Sequence, residues 1–262
     1  MIEKILEYKG QNVYYKIEGD GYPLLFLHGW GVDSNYFKDL KWELGCRFAY
    51  VSVDWPGFGK SLPLARPWSL GDYAEFLRYL VEVELNLNKY SIIAHSFGGG
   101  VALKTVGEGM IKPDVMILAG SAGIRRESVK SRAFKWIARI GKKFFQATHL
   151  YCLEDFAKRI LYFFAGSHDY LKSQKYDNLK ETFTQVVSED LQVILPKVSV
   201  PVLLLWGNKD FYTPLWHGDL MRKFLPDSRL HIIDDGDHAI LRKNTALCAS
   251  LICAFLREKK II

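Results

Sequence analysis

Short apolar runs alternate along the chain with longer stretches in which apolar residues recur at helical spacing. Lys4–Tyr8 and Asn12–Ile17 flank Lys9-Gly10 and predict two strands joined by a hairpin turn. Pro23–Leu27, Arg47–Val53, Ser91–Ala94, Val115–Leu118, Val202–Trp206 and Leu230–Ile233 are largely apolar throughout, the pattern of strands buried on both faces. Between them, Leu70–Val83 sets Leu70, Tyr73, Ala74, Leu77, Leu80 and Val81 on one helical face. Gly98–Gly107, Pro214–Phe224 and Thr245–Leu256 read as further helices. This alternation predicts an α/β architecture with a doubly wound, mostly parallel sheet. Sheets of that kind bind ligands beyond the carboxyl ends of their strands.

Residues 122–188 interrupt the alternation. They hold helical stretches and ten prominent aromatic positions but no long strand, and the core pattern resumes at Pro201. The expected organisation is a core made of 1–121 and 189–262, with 122–188 inserted as a helical lid. A cleft under so aromatic a lid is expected to favour apolar acyl groups of short to medium length.

Charge singles out the same insertion. Residues 121–187 carry 13 Lys/Arg and 6 Asp/Glu, a net of +7, so that segment holds the whole formal excess of +6. Within 125–145, Val129, Ala133, Trp136, Ile137, Ile140 and Phe144 form one helical face, and Arg132, Arg139, Lys143 and other basic residues fall mostly outside it. The plain reading is a solvated face. The sharper one is a docking surface for an anionic partner, such as an acidic carrier protein or a carboxylate-bearing ester. Nucleic-acid binding is not expected, because the basic residues are confined to the lid and no recognition motif accompanies them.

The chain is 49% hydrophobic, enough for a sizeable core. No run of 18 or more apolar residues could span a membrane, and acids stand where a signal peptide would need an apolar stretch. A cytoplasmic protein without membrane association is expected. Cys46, Cys152, Cys248 and Cys253 form no C-x-x-C pair and no zinc-like cluster, and are expected as buried, reduced thiols. No metal or organic cofactor is implied.

The strongest chemical signal is Ala94-His-Ser-Phe-Gly98, which follows an apolar strand and opens a helix. This strand–turn–helix setting is that of a nucleophile elbow, so tight that the positions two before and two after the serine must be small. By residue frequency alone such a pentapeptide arises in roughly one chain in five of this length, so its placement matters more than its letters. The alternative for Ser96 is a helix N-cap.

A nucleophilic serine needs a base. Of seven histidines, His238 lies in the loop Asp234-Asp-Gly-Asp-His238, at the carboxyl end of the last core strand, where it would face the serine turn. His231 lies inside that strand, His28 is expected to brace its own loop, and His95 is expected to point away from the site. His149, His168 and His217 fall in lid or surface segments and are expected to be solvated. The base needs a carboxylate to hold its tautomer. Asp210, also at a strand's carboxyl end, is preferred over Asp234, Asp235 and Asp237, because loop neighbours rarely reach the required geometry.

Leu27-His-Gly-Trp-Gly31, Asp54-Trp-Pro-Gly-Phe-Gly-Lys-Ser61, Ala94-His-Ser-Phe-Gly-Gly99, Trp206-Gly-Asn-Lys-Asp210 and Gly236-Asp-His238 together resemble the successive motifs of the α/β-hydrolase superfamily. The order Ser96, Asp210, His238 is that of the fold's catalytic triad. The resemblance implies an α/β-hydrolase fold and an oxyanion hole built from the backbone amides of Phe97 and Trp30. Asp54 is read as structural. Among subfamilies, the His-Gly-Trp-Gly run resembles carboxylesterases that cleave pimeloyl-carrier-protein methyl esters. Carbon–carbon bond hydrolases share much of the pattern but usually carry an aromatic where this chain has Ala239, and Ser96 argues against haloalkane dehalogenases. The expected function is hydrolysis of a small-molecule ester. Carbon–carbon or perhydrolase chemistry on the same triad is one alternative, and a non-catalytic receptor of the same fold is another.

Overall fold

The computed structural model describes residues 1–125 and 177–262. Eight strands form one sheet: β1 Ile2–Tyr8, β2 Gln11–Glu18, β3 Tyr22–Leu27, β4 Phe48–Val53, β5 Ser91–His95, β6 Met116–Ala119, β7 Val202–Gly207 and β8 Ser228–Ile233, in the order β1-β2-β4-β3-β5-β6-β7-β8. Among the described residues only the β1–β2 and β2–β4 pairings are antiparallel. The hairpin turn forms as read: Tyr8 pairs with Gln11, and Lys9 and Gly10 both have positive φ, the two-residue turn that matches strand twist.

Among the described residues, the longer helices flank this sheet: α1 Lys38–Leu44, α2 Leu70–Tyr79, α3 Phe97–Gly107, α4 Asp177–Ser188, α5 Trp216–Phe224 and α6 Thr245–Glu258. Alternate side chains of one strand feed two cores. Leu25 and Leu27 join the cluster under α2 and α3 with Leu77 and Val101, whereas Leu24 and Phe26 join that under α1 and α6 with Leu40 and Ile252. Both faces are covered, which is why the central strands carry continuous apolar runs.

Three details depart from the sequence reading. Helix α1 was not anticipated, although Phe37, Leu40 and Leu44 are spaced for it and Asp33 caps the turn before it by accepting from the Asn35 amide. Helix α2 starts at a capping box between Ser69 and Asp72, but from Leu80 it widens, with the Leu85 amide bonding the Leu80 carbonyl five residues back. Cys46 is exposed rather than buried, whereas Cys248 is buried as expected; Cys152 lies outside the described residues.

Most of the expected lid, 126–176, also lies outside the described residues, together with its basic face, His149 and His168. At its far end α4 is tied to the core. The Thr182 hydroxyl accepts from the Trp68 amide at 2.8 Å, and Asn178 donates to the Leu64 carbonyl at 2.8 Å. Among the described residues no helix is long and apolar enough to cross a membrane.

Strand order reverses between β3 and β5: from β3 the chain first builds outward to β4, then crosses back to β5 on β3's other side. The crevice beyond the carboxyl ends of β3 and β5 is therefore the topological switch point, where α/β sheets hold ligands.

Candidate active site

Ser96 leaves β5 with φ +51° and ψ −115°. Positive φ is uncommon for a residue with a Cβ and costs of order 1–3 kcal/mol. The surroundings hold it there. The Ser96 amide donates to the Ala119 carbonyl at 3.1 Å, and the Ser96 carbonyl accepts from Ala122, Gly99 and Gly100. A side chain at Gly98 would strike the Leu27 carbonyl, and one at Gly99 the Ser121 hydroxyl. The small-residue rule of the elbow is thus met by a physical neighbour at Gly98. Ser96 occupies the cap position of α3, yet its side chain makes no capping hydrogen bond. The N-cap alternative does not account for it.

The carboxyl ends of β7 and β8 bring Asp210 and His238 together. Asp210 Oδ2 lies 2.8 Å from His238 Nδ1. The same oxygen accepts from the Thr213 hydroxyl at 2.9 Å, and Oδ1 accepts from the Tyr212 and Thr213 amides, each at 2.9 Å. A carboxylate with so many donors is fixed in orientation, and opposite the neutral imidazole it favours the tautomer with the proton on Nδ1. The nearer aspartates are otherwise engaged. Asp234 accepts from Asn208, Asp235 pairs with Lys209 in solvent, and Asp237 pairs with Lys243 and caps the Ala239 amide.

Two further residues of this arrangement escaped the sequence reading. Thr213 also reaches the Gly120 carbonyl at 3.1 Å. Gly120, at the end of β6, has φ +50°, and a Cβ there would sit 3.0 Å from Asp210 Oδ2 and 3.2 Å from His238 Nδ1. Strand β6 lies between β5 and β7, so a side chain on Gly120 would stand between the serine turn and the Asp–His pair. No local pattern marks it as more than a strand-ending glycine.

His95 corrects an expectation. It does not point away: it is buried against the site, its Nε2 lies 2.8 Å from the His238 carbonyl, and its ring centroid lies 4.7 Å from that of His238. Burial, followed by the neighbouring His238, pulls its pKa down to about 3, so the ring is neutral. His217 corrects another. It is not solvated: it lines a cleft with Ser96, its Nδ1 is buried without a partner, and burial lowers its pKa to about 4. His28 braces its loop as read. Its Nε2 accepts from the Trp55 amide at 3.0 Å, and its Nδ1 lies 2.7 Å from the Gly29 carbonyl. That pattern requires the neutral ring protonated on Nδ1, and burial keeps the pKa low. His231 lies within β8 as read.

The loop after β3 lies against the elbow: a Cβ on Gly29 would be 3.3 Å from Ser96 Cβ. Phe97 is the first residue of α3, so its amide belongs to the turn with no intrahelical acceptor. The Trp30 and Phe97 rings meet edge to face at 5.3 Å, and Phe183 of α4 packs on Trp30 at 5.1 Å. Asp54 is structural. At 2% exposure, it accepts from the Ser34 and Lys60 amides, each at 2.8 Å, and ties two loops.

Two clefts meet at Ser96, and both are lined by Trp30, Phe211 and Tyr212. One, of about 290 Å³, is walled chiefly by Phe97, Ile124, Phe183 and Val186, with His217 and Thr213. The other, of about 420 Å³, contains His95 and His238 and is edged by Lys209 and Arg242. A larger cleft of about 580 Å³ between β2, β4 and α1 holds none of these residues.

Comparison with known proteins agrees with this fold. Residues 24–250 match the family described as "Alpha/beta hydrolase family". The chain is 25% identical over 261 residues to the AB hydrolase superfamily protein YisY of Bacillus subtilis (strain 168), covering 90% of this chain and 92% of that protein. It is 26% identical over 243 residues to a pimeloyl-(acyl-carrier protein) methyl ester esterase of Neisseria meningitidis, covering 88% and 91%. The solved structure of an esterase from Exiguobacterium antarcticum superposes with a TM-score of 0.74 at 22% identity, over 97% of this chain and 98% of that one.

Proposed function

The chain belongs to the alpha/beta hydrolase family, and from that premise we propose that it is a serine hydrolase cleaving carboxylic esters of small, largely apolar acyl groups. The observation that carries the reading is the Asp210–His238 hydrogen bond of 2.8 Å at a cleft shared with a serine held at positive φ. In the proposed reaction Ser96 Oγ attacks the ester carbonyl while His238 Nε2 takes its proton. The amides of Phe97 and Trp30 hold the negative oxygen of the tetrahedral intermediate. His238 returns the proton to the departing alkoxide, leaving an acyl-serine. Water, deprotonated by the same histidine, then releases the acid. These steps call on no metal or organic cofactor.

The two clefts have distinct parts in this reading. The group that protonates the leaving oxygen must lie beside it, so the alcohol portion occupies the His238 side. The acyl portion then occupies the other cleft, whose Phe97, Ile124, Phe183 and Val186 walls favour apolar chains. The basic residues of 121–187 support a further reading, docking of an acidic carrier protein. The relative named as a pimeloyl-(acyl-carrier protein) methyl ester esterase is consistent with it.

The decisive experiment is active-site labelling. A fluorophosphonate probe is expected to modify Ser96 at neutral pH, and Ser96→Ala is expected to lose both labelling and turnover of short-chain esters. Full activity in that variant, or modification of another serine, would refute the assignment. An unlabelled, inactive wild-type protein would favour the receptor reading.

A further inference from the structure

A histidine that serves as general base needs two fixed points. Asp210 at 2.8 Å and the Thr213 hydroxyl at 3.4 Å both meet the same ring nitrogen of His238, and contacts at Nδ1 alone do not fix how far Nε2 reaches toward the serine. The second point is supplied by the residue next to the nucleophile. We propose that His95 is a positioning residue: its Nε2–H holds the main chain of His238 and so sets the reach of the His238 imidazole toward Ser96. This inference rests on the serine-hydrolase reading for its kinetic consequence, though not for its geometry.

A carbonyl only accepts, so the 2.8 Å contact between His95 Nε2 and the His238 carbonyl requires the proton on Nε2. The pKa of about 3 keeps the ring in a neutral form at working pH. The ring is itself clamped. Tyr36 stacks on it at 4.5 Å and 19° between planes. Its Nδ1 is buried without a partner, and a Cβ on Gly29 would come within 2.7 Å of it. His95 and Ser96 share one peptide unit, so the turn carrying the nucleophile grips the backbone of the base. The Ala239 amide, in the same peptide unit as the His238 carbonyl, donates to Asp237 Oδ1 at 2.8 Å, so that peptide unit is held at both its oxygen and its N–H. Displacement of a reacting group by about 1 Å costs on the order of 100-fold in rate, which makes such a second anchor consequential.

The test compares His95→Gln with His95→Met. The two side chains have similar length and flexibility, and both lose the aromatic stack on Tyr36, so their difference isolates the donor. Glutamine can place an N–H near the position of the imidazole Nε2; methionine cannot. Met is expected to lower kcat for a p-nitrophenyl ester about 10- to 100-fold with KM within about twofold, and Gln is expected to recover most of that loss. Wild-type kcat in the methionine variant, or equal losses in the two, would overturn the proposal. A second readout does not depend on turnover: the His238 Nδ1 proton held by Asp210, followed in the ¹H NMR spectrum. It is expected to broaden by faster exchange in the methionine variant and to remain in the glutamine one. An unchanged resonance in the methionine variant would equally overturn the proposal. Should the wild-type protein prove inactive toward esters, the serine-hydrolase reading fails and this measurement still decides the positioning role.

Discussion

Replacing Asp210 by Asn leaves the shape of the side chain but changes which atoms can accept. Oδ1 takes two backbone N–H donors, from Tyr212 and Thr213, each at 2.9 Å. The amide oxygen of the asparagine must stay there, because turning its NH2 toward two N–H groups would abandon both bonds. At about 1–3 kcal/mol for each buried donor left unsatisfied, the flipped arrangement is disfavoured by roughly 2–6 kcal/mol. The NH2 group therefore replaces Oδ2 and faces His238 Nδ1. The Thr213 hydroxyl reinforces this, since it can donate to the Gly120 carbonyl at 3.1 Å and accept from the new amide. Now Nδ1 must accept, the imidazole proton moves to Nε2, and Nε2 can no longer take the proton of Ser96. The tautomer penalty alone corresponds to a factor between about 30 and about 3 × 10⁴. With the lost stabilisation of the imidazolium added, kcat is expected to fall about 10⁴-fold, the size seen for the equivalent change in serine proteases. The assay is turnover of a p-nitrophenyl ester together with the second-order rate of fluorophosphonate labelling, both of which report activation of Ser96. A variant within tenfold of wild type in both would refute the tautomer argument and the assignment of Asp210.

Stability should fall on acidification. The pKa values of His95 and His217 are lowered to about 3 and about 4, and that of His28 is lowered by burial, so the unfolded chain takes up these protons first. Stabilisation present above the ordinary histidine range is lost as pH falls, by about 1.4 kcal/mol per pH unit for His95 down to its folded value. Urea titrations across that interval should show the slope, reduced in His95→Gln; a flat profile would contradict it. Asp54→Ala should cost about 2–4 kcal/mol by stranding the Ser34 and Lys60 amides while Ser96 remains reactive to the probe, and loss of labelling in a folded variant would give Asp54 a role in the site. If the basic segment docks an acidic carrier, kcat/KM for a carrier-bound ester should drop with salt while that for a neutral ester does not, and Arg132, Arg139 and Lys143 changed to Glu should abolish the difference. Equal salt responses would leave those charges as a solvated face.

The layout of the core was legible because each strand announces itself locally. A strand covered on both faces must be apolar throughout, and the six runs read in that way all appear as parallel members of the sheet, although β8, at its edge, is half-buried or exposed at every position but Ile233. Their carboxyl ends carry Ser96, Asp210 and His238, so the candidate site could be read from which polar residues follow which runs. The elbow was equally legible, since the tight turn demands small residues in fixed positions around the serine. Among the described residues, α1 is not in the sequence reading although its apolar spacing and the Asp33 cap stand in the sequence, and neither is the four-residue helix Ile240–Lys243.

What the amino-acid order determined by itself was therefore the set of strands, the turn at Ser96 and the succession of chemical groups along the chain. Tertiary structure alone decided which groups meet. The place of Asp210 after β7 could be read from the sequence, but its 2.8 Å contact with His238 Nδ1 exists only because the ends of β7 and β8 lie side by side. Gly120 matters because β6 happens to lie between β5 and β7, an adjacency set by sheet order. His95 and His217 turned inward, against expectation, because side-chain direction at a sharp turn and at a helix start depends on what packs there, Tyr36 and the His238 carbonyl in one case and Trp216 in the other. Strand and turn preferences act within a few residues and can be read one segment at a time. Hydrogen-bond partners separated by 28 residues, as Asp210 and His238 are, or by 143, as His95 and His238 are, exist only after the sheet has brought its strand ends together.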